Sequence, residues 1–350
     1  MERIQITVFG PANSGKSTLV NALCGQEVSL VSPIPGTTTD PVRKAIELPY
    51  GIGPAVIVDT AGLDDASILG AERLRRTQQV IDTTDIAIVL GTEEPATQAL
   101  LEQLEDIPTV IYSQGESIDS LLQKIAAALP TEKEHSLTGS LVHEGSVVVL
   151  VMPQDSEAPK GRLILPQVQV LRELLDRGCI PVCCTPEKLP EALKAVKPDL
   201  VITDSQAFAK VNALLPPTTP LTSFSILLAA AKGDIKVFAE GAKTRLQPGA
   251  RVLIAEACTH VPNTEDIGRV KIPALLRKLV PDLQVDIAAG NDFPEDLSPY
   301  SLIIHCGACV ASARLVRARM KKALRAGVPI TNYGMALAHL QGILDRVSLP

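Results

Sequence analysis

The stretch GPANSGKS, residues 10 to 17, constrains this chain more than any other. It follows the aliphatic run IQITVFG and precedes STLVNALCG, so the pattern G-x-x-x-x-G-K-[ST] falls at the turn of a strand-loop-helix unit. Each residue type has a physical reason to be there. Gly10 and Gly15 let the backbone amides turn inward around phosphate groups, with Asn13, Ser14 and Thr18 completing the loop and the first helical turn. Lys16 places a point charge on the outer phosphates, Ser17 offers a hydroxyl to Mg²⁺, and the helix N-terminus adds the positive end of its dipole. A nucleoside triphosphate is the ligand this pattern serves.

Two further stretches fit the same chemistry. VIVDTAG ends a strand on Asp59, the acid expected near the metal, and places Gly62 for a γ-phosphate contact. PGTTTDP, residues 35 to 41, supplies threonines in the loop between, with Thr38 the candidate second hydroxyl on Mg²⁺. Lys16 and Asp59 are the residues expected from the motifs to carry catalysis, and the resemblance given below adds Asn13.

The rest of the chain repeats one alternation. Aliphatic runs (PAVIVDT, DIAIVLG, SVVVLVM, DLVITDS, RVLIAEA, SLIIHCG) are separated by segments of helical spacing such as VQVLRELLDRG and RLVRARMKKALRAG. Aromatic residues are 3% of the chain and Trp is absent, so the cores rest on Val, Ile, Leu and Ala, as in parallel sheets covered by helices. Polar TEKEHSLTGS and Pro/Thr-rich LLPPTTPLTS read as boundaries. The expected fold class is therefore α/β, with three consecutive domains of mainly parallel sheet over 1–132, 141–218 and 221–350.

A formal net charge of -6 leaves no general basic surface, so neither nucleic acid nor membrane is an expected partner. No apolar stretch reaches the roughly 18 residues of a membrane span, and the N-terminus lacks a signal-peptide pattern. The expected location is cytoplasmic, where seven cysteines are thiols and not a disulfide framework. Cys179, Cys183 and Cys184 in GCIPVCCTP read as core residues, because neighbours on a strand point to opposite faces.

The last third carries a different signature. RVLIAEA runs into CTH, giving Cys258 and His260, and SLII runs into HCGAC, giving His305, Cys306 and Cys309. Both sets leave the carboxyl end of an expected strand, where open α/β sheets place their sites. A dithiol redox pair leaves Cys258 and both histidines without a role. A structural zinc site and a three-cysteine iron-sulfur cluster both remain open on spacing and softness.

Resemblance adds to this reading. GPANSGKSTLVNAL, PGTTTD and DTAGLDD resemble the tRNA-modifying group of translation-factor-class GTPases, which implies GTP as the nucleotide and K⁺ bound with the help of Asn13. The base-reading N-K-x-D is missing or degenerate. PTVIYSQGES reads either as a decayed base motif, with Ser113 and Glu116 in its polar places, or as the later serine-rich loop after a deletion, the reading preferred here. Along the remainder, APKGRLILPQVQVLRELLD, LVITDSQAF, LTSFSILLA, KGDI, VLIAEACTH, EDIGRVKIP, YSLIIHCGACV and GVPITNYGMALA resemble the FeFe-hydrogenase maturation GTPases of the HydF family. That resemblance implies a 4Fe-4S cluster on Cys258, Cys306 and Cys309, with His260 or His305 as an exchangeable fourth ligand. It also implies a homodimer through the middle domain, the radical SAM maturases HydE and HydG as suppliers, and the FeFe-hydrogenase apoprotein as recipient of a diiron unit. The competing expectation is a regulatory P-loop GTPase whose thiols hold structural zinc as an interaction module.

Overall fold

The computed structural model describes residues 3–26, 42–62, 77–129, 136–154, 161–257, 266–290 and 292–350. Thr38, Cys258 and His260 lie outside the described residues. The chain forms two compact units, Met1–Lys133 and Glu134–Pro350.

The first unit is a five-stranded sheet. Its strands are β1 (Ile4–Phe9), β2 (Val42–Leu48), β3 (Gly53–Asp59), β4 (Ile86–Val89) and β5 (Thr109–Ile111), in the order β2-β3-β1-β4-β5. Only β2 runs antiparallel to its neighbour. Strands β1 and β4 are buried on both faces and accordingly read as unbroken aliphatic runs, not alternations. Ile6, Val8, Ile57 and Ile88 pack on one face with Leu19 and Val20 of helix Lys16–Cys24 and Leu121 and Ile125 of helix Ile118–Ala128. Each such side chain contributes about 1.5–3 kcal/mol by leaving water.

The second unit contains two four-stranded, all-parallel sheets. One holds β6 (Val147–Val151), β7 (Ile180–Cys184), β8 (Leu200–Thr203) and β9 (Leu221–Ser223), ordered β7-β6-β8-β9. The other holds β10 (Arg251–Ala255), β11 (Gln284–Ala288), β12 (Leu302–His305) and β13 (Ile330–Asn332), ordered β11-β10-β12-β13. With the first unit this makes three mainly parallel α/β sheets along the chain. The passage from the second sheet to the third falls later than the Pro/Thr-rich segment implied. β9 pairs with β8, and Phe224 and Leu227 of the next helix, Phe224–Lys232, pack with Val148, Leu150 and Ile202. A three-residue strand directly after Pro216, Pro217 and Pro220 leaves little aliphatic signal.

The two sheets of this unit are the same module twice. Their strand orders are equivalent, and so are their registers: Val151 pairs with Thr203 and Thr203 with Ser223, as Ala255 pairs with His305 and His305 with Asn332. Sequence follows the correspondence. GRLILP at 161–166 matches GRVKIP at 268–273, and PLTSFSILLA at 220–229 matches PITNYGMALA at 329–338. Ser223 and Asn332 each cap the helix that follows, accepting from the amides of Ile226 and Met335. The modules also exchange their tails. Helix Ile235–Ala242 lies on β13, where Thr331 Oγ1 donates to Phe238 O at 2.7 Å, whereas Ser348 N donates to Leu221 O of β9 at 2.7 Å.

Cys183 departs from expectation. β7 is an edge strand, and of its two adjacent cysteines Cys184 packs against the core while Cys183 is exposed; Cys179, just before the strand, is buried. None of these three joins the loop of Cys306. Among the described residues no helix is long and apolar enough to cross a membrane.

Candidate functional sites: a phosphate cradle and a thiol loop

The phosphate cradle lies at the carboxyl ends of β1 and β3. Gly15 caps helix Lys16–Cys24 in the left-handed region at φ 92, where an L side chain is strained, and Asn13 adopts the same region at φ 59. These turns bring Lys16 back over the loop. It is buried, and its Nζ donates to Gly10 O at 3.0 Å and Pro11 O at 2.5 Å. Ser17 Oγ donates to Asp59 Oδ2 at 2.7 Å, while Thr60 Oγ1 donates to Val8 O at 2.7 Å and ties the end of β3 to β1. Asp59 is fully buried, yet its Oδ1 has no hydrogen-bond partner among the described residues. A buried carboxylate oxygen left unmatched beside a serine hydroxyl fits Mg²⁺, which takes oxygen ligands. Gly62 closes against the loop, since a Cβ there would stand 2.7 Å from Ala12 N. Asn13 and Thr18 are exposed, and the Ser14 hydroxyl is buried without a partner among the described residues.

The base side offers less. After β4 the sheet has one more strand, β5, and the chain then enters helix Ile118–Ala128 through Tyr112 to Ser117. Ser117 is spent as the helix cap, accepting from Ser120 N. Glu116 is also occupied, by Lys124 at 2.7 Å, Ser120 Oγ at 2.6 Å and Ser113 N at 3.4 Å. Lys124 first and Ser120 second hold its carboxyl below the ordinary range. As an acceptor for a base edge it is already committed.

The thiol loop lies at the switch point of the third sheet. β10 and β12 are neighbours, but the chain leaves β10 for β11 on one side and β12 for β13 on the other, which opens a crevice at their carboxyl ends. Cys306 follows β12 directly. Its Sγ accepts from Ala257 N at 3.1 Å and from Ala308 N at 3.4 Å, and Ala257 is the residue before Cys258. Two amides thus point at one sulfur, the arrangement that supports a metal-bound thiolate. Ala308 reaches this arrangement through a left-handed backbone at φ 51, unusual for a residue with a Cβ. Cys309 follows in the same loop, half-buried like Cys306.

His305 is placed differently from a free ligand. It is buried at the end of β12, with Nδ1 2.8 Å from Cys306 O and Nε2 3.2 Å from Arg319 Nη1. Arginine only donates, so Nε2 accepts and Nδ1 carries the proton. Burial first, then the Arg319 guanidinium, pushes its pKa down to about 4. Both nitrogens are engaged, and ligation by His305 would require the Arg319 contact to break. Arg319 also donates to Glu256 O at 3.1 Å and to Gly290 O, so it gathers the ends of β10, β11 and β12. Sequence reading did not single it out, because an arginine in the basic helix Ala313–Arg325 looks like surface until the sheet order is known.

Comparison with known proteins divides the chain the same way. Residues 137–233 match the family model described as the hydrogen maturase F dimerization domain, and residues 236–350 match its tetramerization domain. Residues 5–123 match the family of the 50S ribosome-binding GTPase, so the first unit is a P-loop GTPase domain. The curated tRNA modification GTPase MnmE of Acidiphilium cryptum is 47% identical over 93 residues, 26% of this chain and 21% of that protein. MnmE of Zymomonas mobilis is 31% identical over 181 residues, 50% of this chain and 40% of that protein. The chain thus spans less than half the length of these relatives. Among solved structures, Era of Aquifex aeolicus bound to GDP·AlF4⁻ aligns at TM-score 0.29 and 15% identity, over 89% of this chain and 99% of that one. Toc33 of Arabidopsis thaliana aligns at TM-score 0.26 and 19% identity, over 53% and 71%.

Proposed function

A chain matched over 137–233 and 236–350 by two domains of hydrogen maturase F belongs to that family, and from this premise we propose that it is a cluster-binding scaffold GTPase of hydrogenase maturation. Cys258, Cys306 and Cys309 would hold a 4Fe-4S cluster, and the chain would carry a diiron precursor from HydE and HydG to the FeFe-hydrogenase apoprotein. The observation that carries this reading is the amide of Ala257 on Cys306 Sγ. Through it the segment that contains Cys258 meets the segment that contains Cys306 and Cys309, at a sheet switch point.

The donor set fits such a cluster. Thiolates are its ordinary ligands, and amide-to-sulfur hydrogen bonds tune its potential. Three protein thiolates leave one iron for an exchangeable ligand, which is what delivery requires. Structural zinc is the less apt reading, because the first module reaches the same fold with Asp204 and Ala207 in the places of Cys306 and Cys309. Anaerobic reconstitution with iron and sulfide decides between them. About four irons per chain and a cluster EPR signal after reduction are expected, whereas zinc retained with no EPR signal would reject the cluster.

In the first unit, Lys16 would neutralise the outer phosphates, Ser17 and Asp59 would place Mg²⁺ with Thr38, and Asn13 would help hold K⁺ beside the phosphates. The domain matches suit a homodimer that assembles further. A measurable consequence lies on the base side. With Glu116 committed to Lys124 and Ser120, the one carboxylate of that segment is not left to penalise adenine for its missing donors. GTP should be preferred over ATP by less than roughly a hundredfold in competition binding. A larger preference would mean that Glu116 turns to the base or that another residue reads it.

A further inference from the structure

The sequence KGDI, residues 232 to 235, joins helix Phe224–Lys232 to helix Ile235–Ala242, and neither site described above uses it. Lys232 is only 6% exposed. Its Nζ donates to Ala308 O at 2.8 Å and to Ala311 O at 2.7 Å, two carbonyls of the loop that carries Cys306 and Cys309. The residues after it fix the joint. A Cβ on Gly233 would stand 2.7 Å from the Phe238 ring, and Asp234 Oδ1 caps the next helix, accepting from Lys236 N at 2.8 Å and Val237 N at 3.4 Å.

The grip has a counterpart in the opposite direction. Lys232 lies in the first module where Gln341 lies in the second, each at the end of the helix capped by Ser223 or Asn332. Gln341 Oε1 accepts from Ala209 N at 2.9 Å, in the segment that follows β8. Each module thus holds, with the end of its last helix, the segment beyond the third strand of the other. Of these two helix ends, the one that grips the thiol loop is a cation and the other an amide, while Lys271 Nζ of the second module donates to Gln206 Oε1 at 2.6 Å in the segment beyond β8.

We propose that Lys232 is a positioning residue for the thiol loop, clamping it from the neighbouring module so that Ala308 keeps its left-handed turn and its amide stays on Cys306 Sγ. The logic is that of one peptide unit after another. With the carbonyls of Ala308 and Ala311 drawn to the ammonium, the Ala308 amide is left facing the sulfur. A left-handed alanine relaxes unless its surroundings hold it. The purpose assigned to the loop rests on the cluster reading above, but the clamp is a property of the metal-free chain.

The test is therefore made on metal-free protein. Lys232→Met keeps the buried stem and removes the donors, and alkylation of Cys306 and Cys309, mapped by mass spectrometry, should be roughly five- to tenfold faster than in the parent. Cys24 and Cys179 serve as internal references and should not change. Adding Ala308→Gly, which takes the left-handed turn without strain, should slow the loop thiols back toward the parent rate. Lys232→Gln keeps one donor at shorter reach and should fall between parent and Met variant; it decides the matter if Lys232→Met does not fold. Loop thiols at parental rates in either variant would overturn the proposal, as would equal acceleration of all cysteines or no recovery with Ala308→Gly. Reconstitution of the parent chain is run beside it. A parent that binds no iron defeats the cluster reading and leaves the alkylation result standing on its own.

Discussion

Reconstituted anaerobically with iron and sulfide, a Cys306→Ser variant is expected to lose at least about ninety per cent of its bound iron, because it removes a ligand itself and not a group that only supports one. Cys258→Ser and Cys309→Ser should do the same. Among the described residues, Cys306 is held in place, because its sulfur receives two amides and stands at the switch point between β10 and β12. Serine at that place presents a harder, far less acidic oxygen to a soft metal. The loss should not come from unfolding, since the residue is half-buried and the equivalent place in the first module is held by Asp204. Cys183→Ser is the matched control: that thiol is exposed on an edge strand and should leave the iron count unchanged. Iron retained by Cys306→Ser, or lost from Cys183→Ser, would sink the assignment.

The second large effect is expected in the other compact unit. Lys16→Ala should lower the rate of GTP hydrolysis by roughly 10²- to 10³-fold, the cost of removing one preorganised electrostatic partner from a developing charge. Lys16 is held buried over the loop by the carbonyls of Gly10 and Pro11, and so is already positioned before any phosphate arrives. Asp59→Ala should be comparably severe through loss of the metal-facing carboxylate. Phosphate release under saturating nucleotide is the measurement, with iron content measured on the same preparations. Because the cradle and the thiol loop belong to separate compact units, iron binding should be unaffected. Hydrolysis within threefold of the parent rate would remove Lys16 from the role given to it.

What sequence could reveal depended on how local each signal was. The cradle was legible because strand, glycine-lysine loop and helix are consecutive, and because β1, buried on both faces, reads as an aliphatic run. The placement of Cys306 and Cys309 was legible for the same reason, as the buried LIIH of β12 runs straight into them. Features that depend on sheet order were not. Cys183 is exposed because β7 is an edge, and nothing within GCIPVCC says which strand will stand outermost. Arg319 and Lys232 act on loops 14 or more residues away in the chain, so their role is a product of packing. The duplication occupies a middle position. PLTSFSILLA and PITNYGMALA can be compared by eye, but only the shared register of the two sheets says that the likeness is architectural.

That duplication bears on what it means for such a protein to stand empty. One half of the pair closes its sheet, caps its helices and buries its core with no sulfur at the third strand's end, so sulfur-metal bonds are no part of what makes the architecture hold. A vessel built this way can be filled and drained without being dismantled. On the cluster reading proposed above, the energy exchanged with the cargo would be confined to a few ligand bonds at one loop, and the bare chain would be a resting state and not a damaged one.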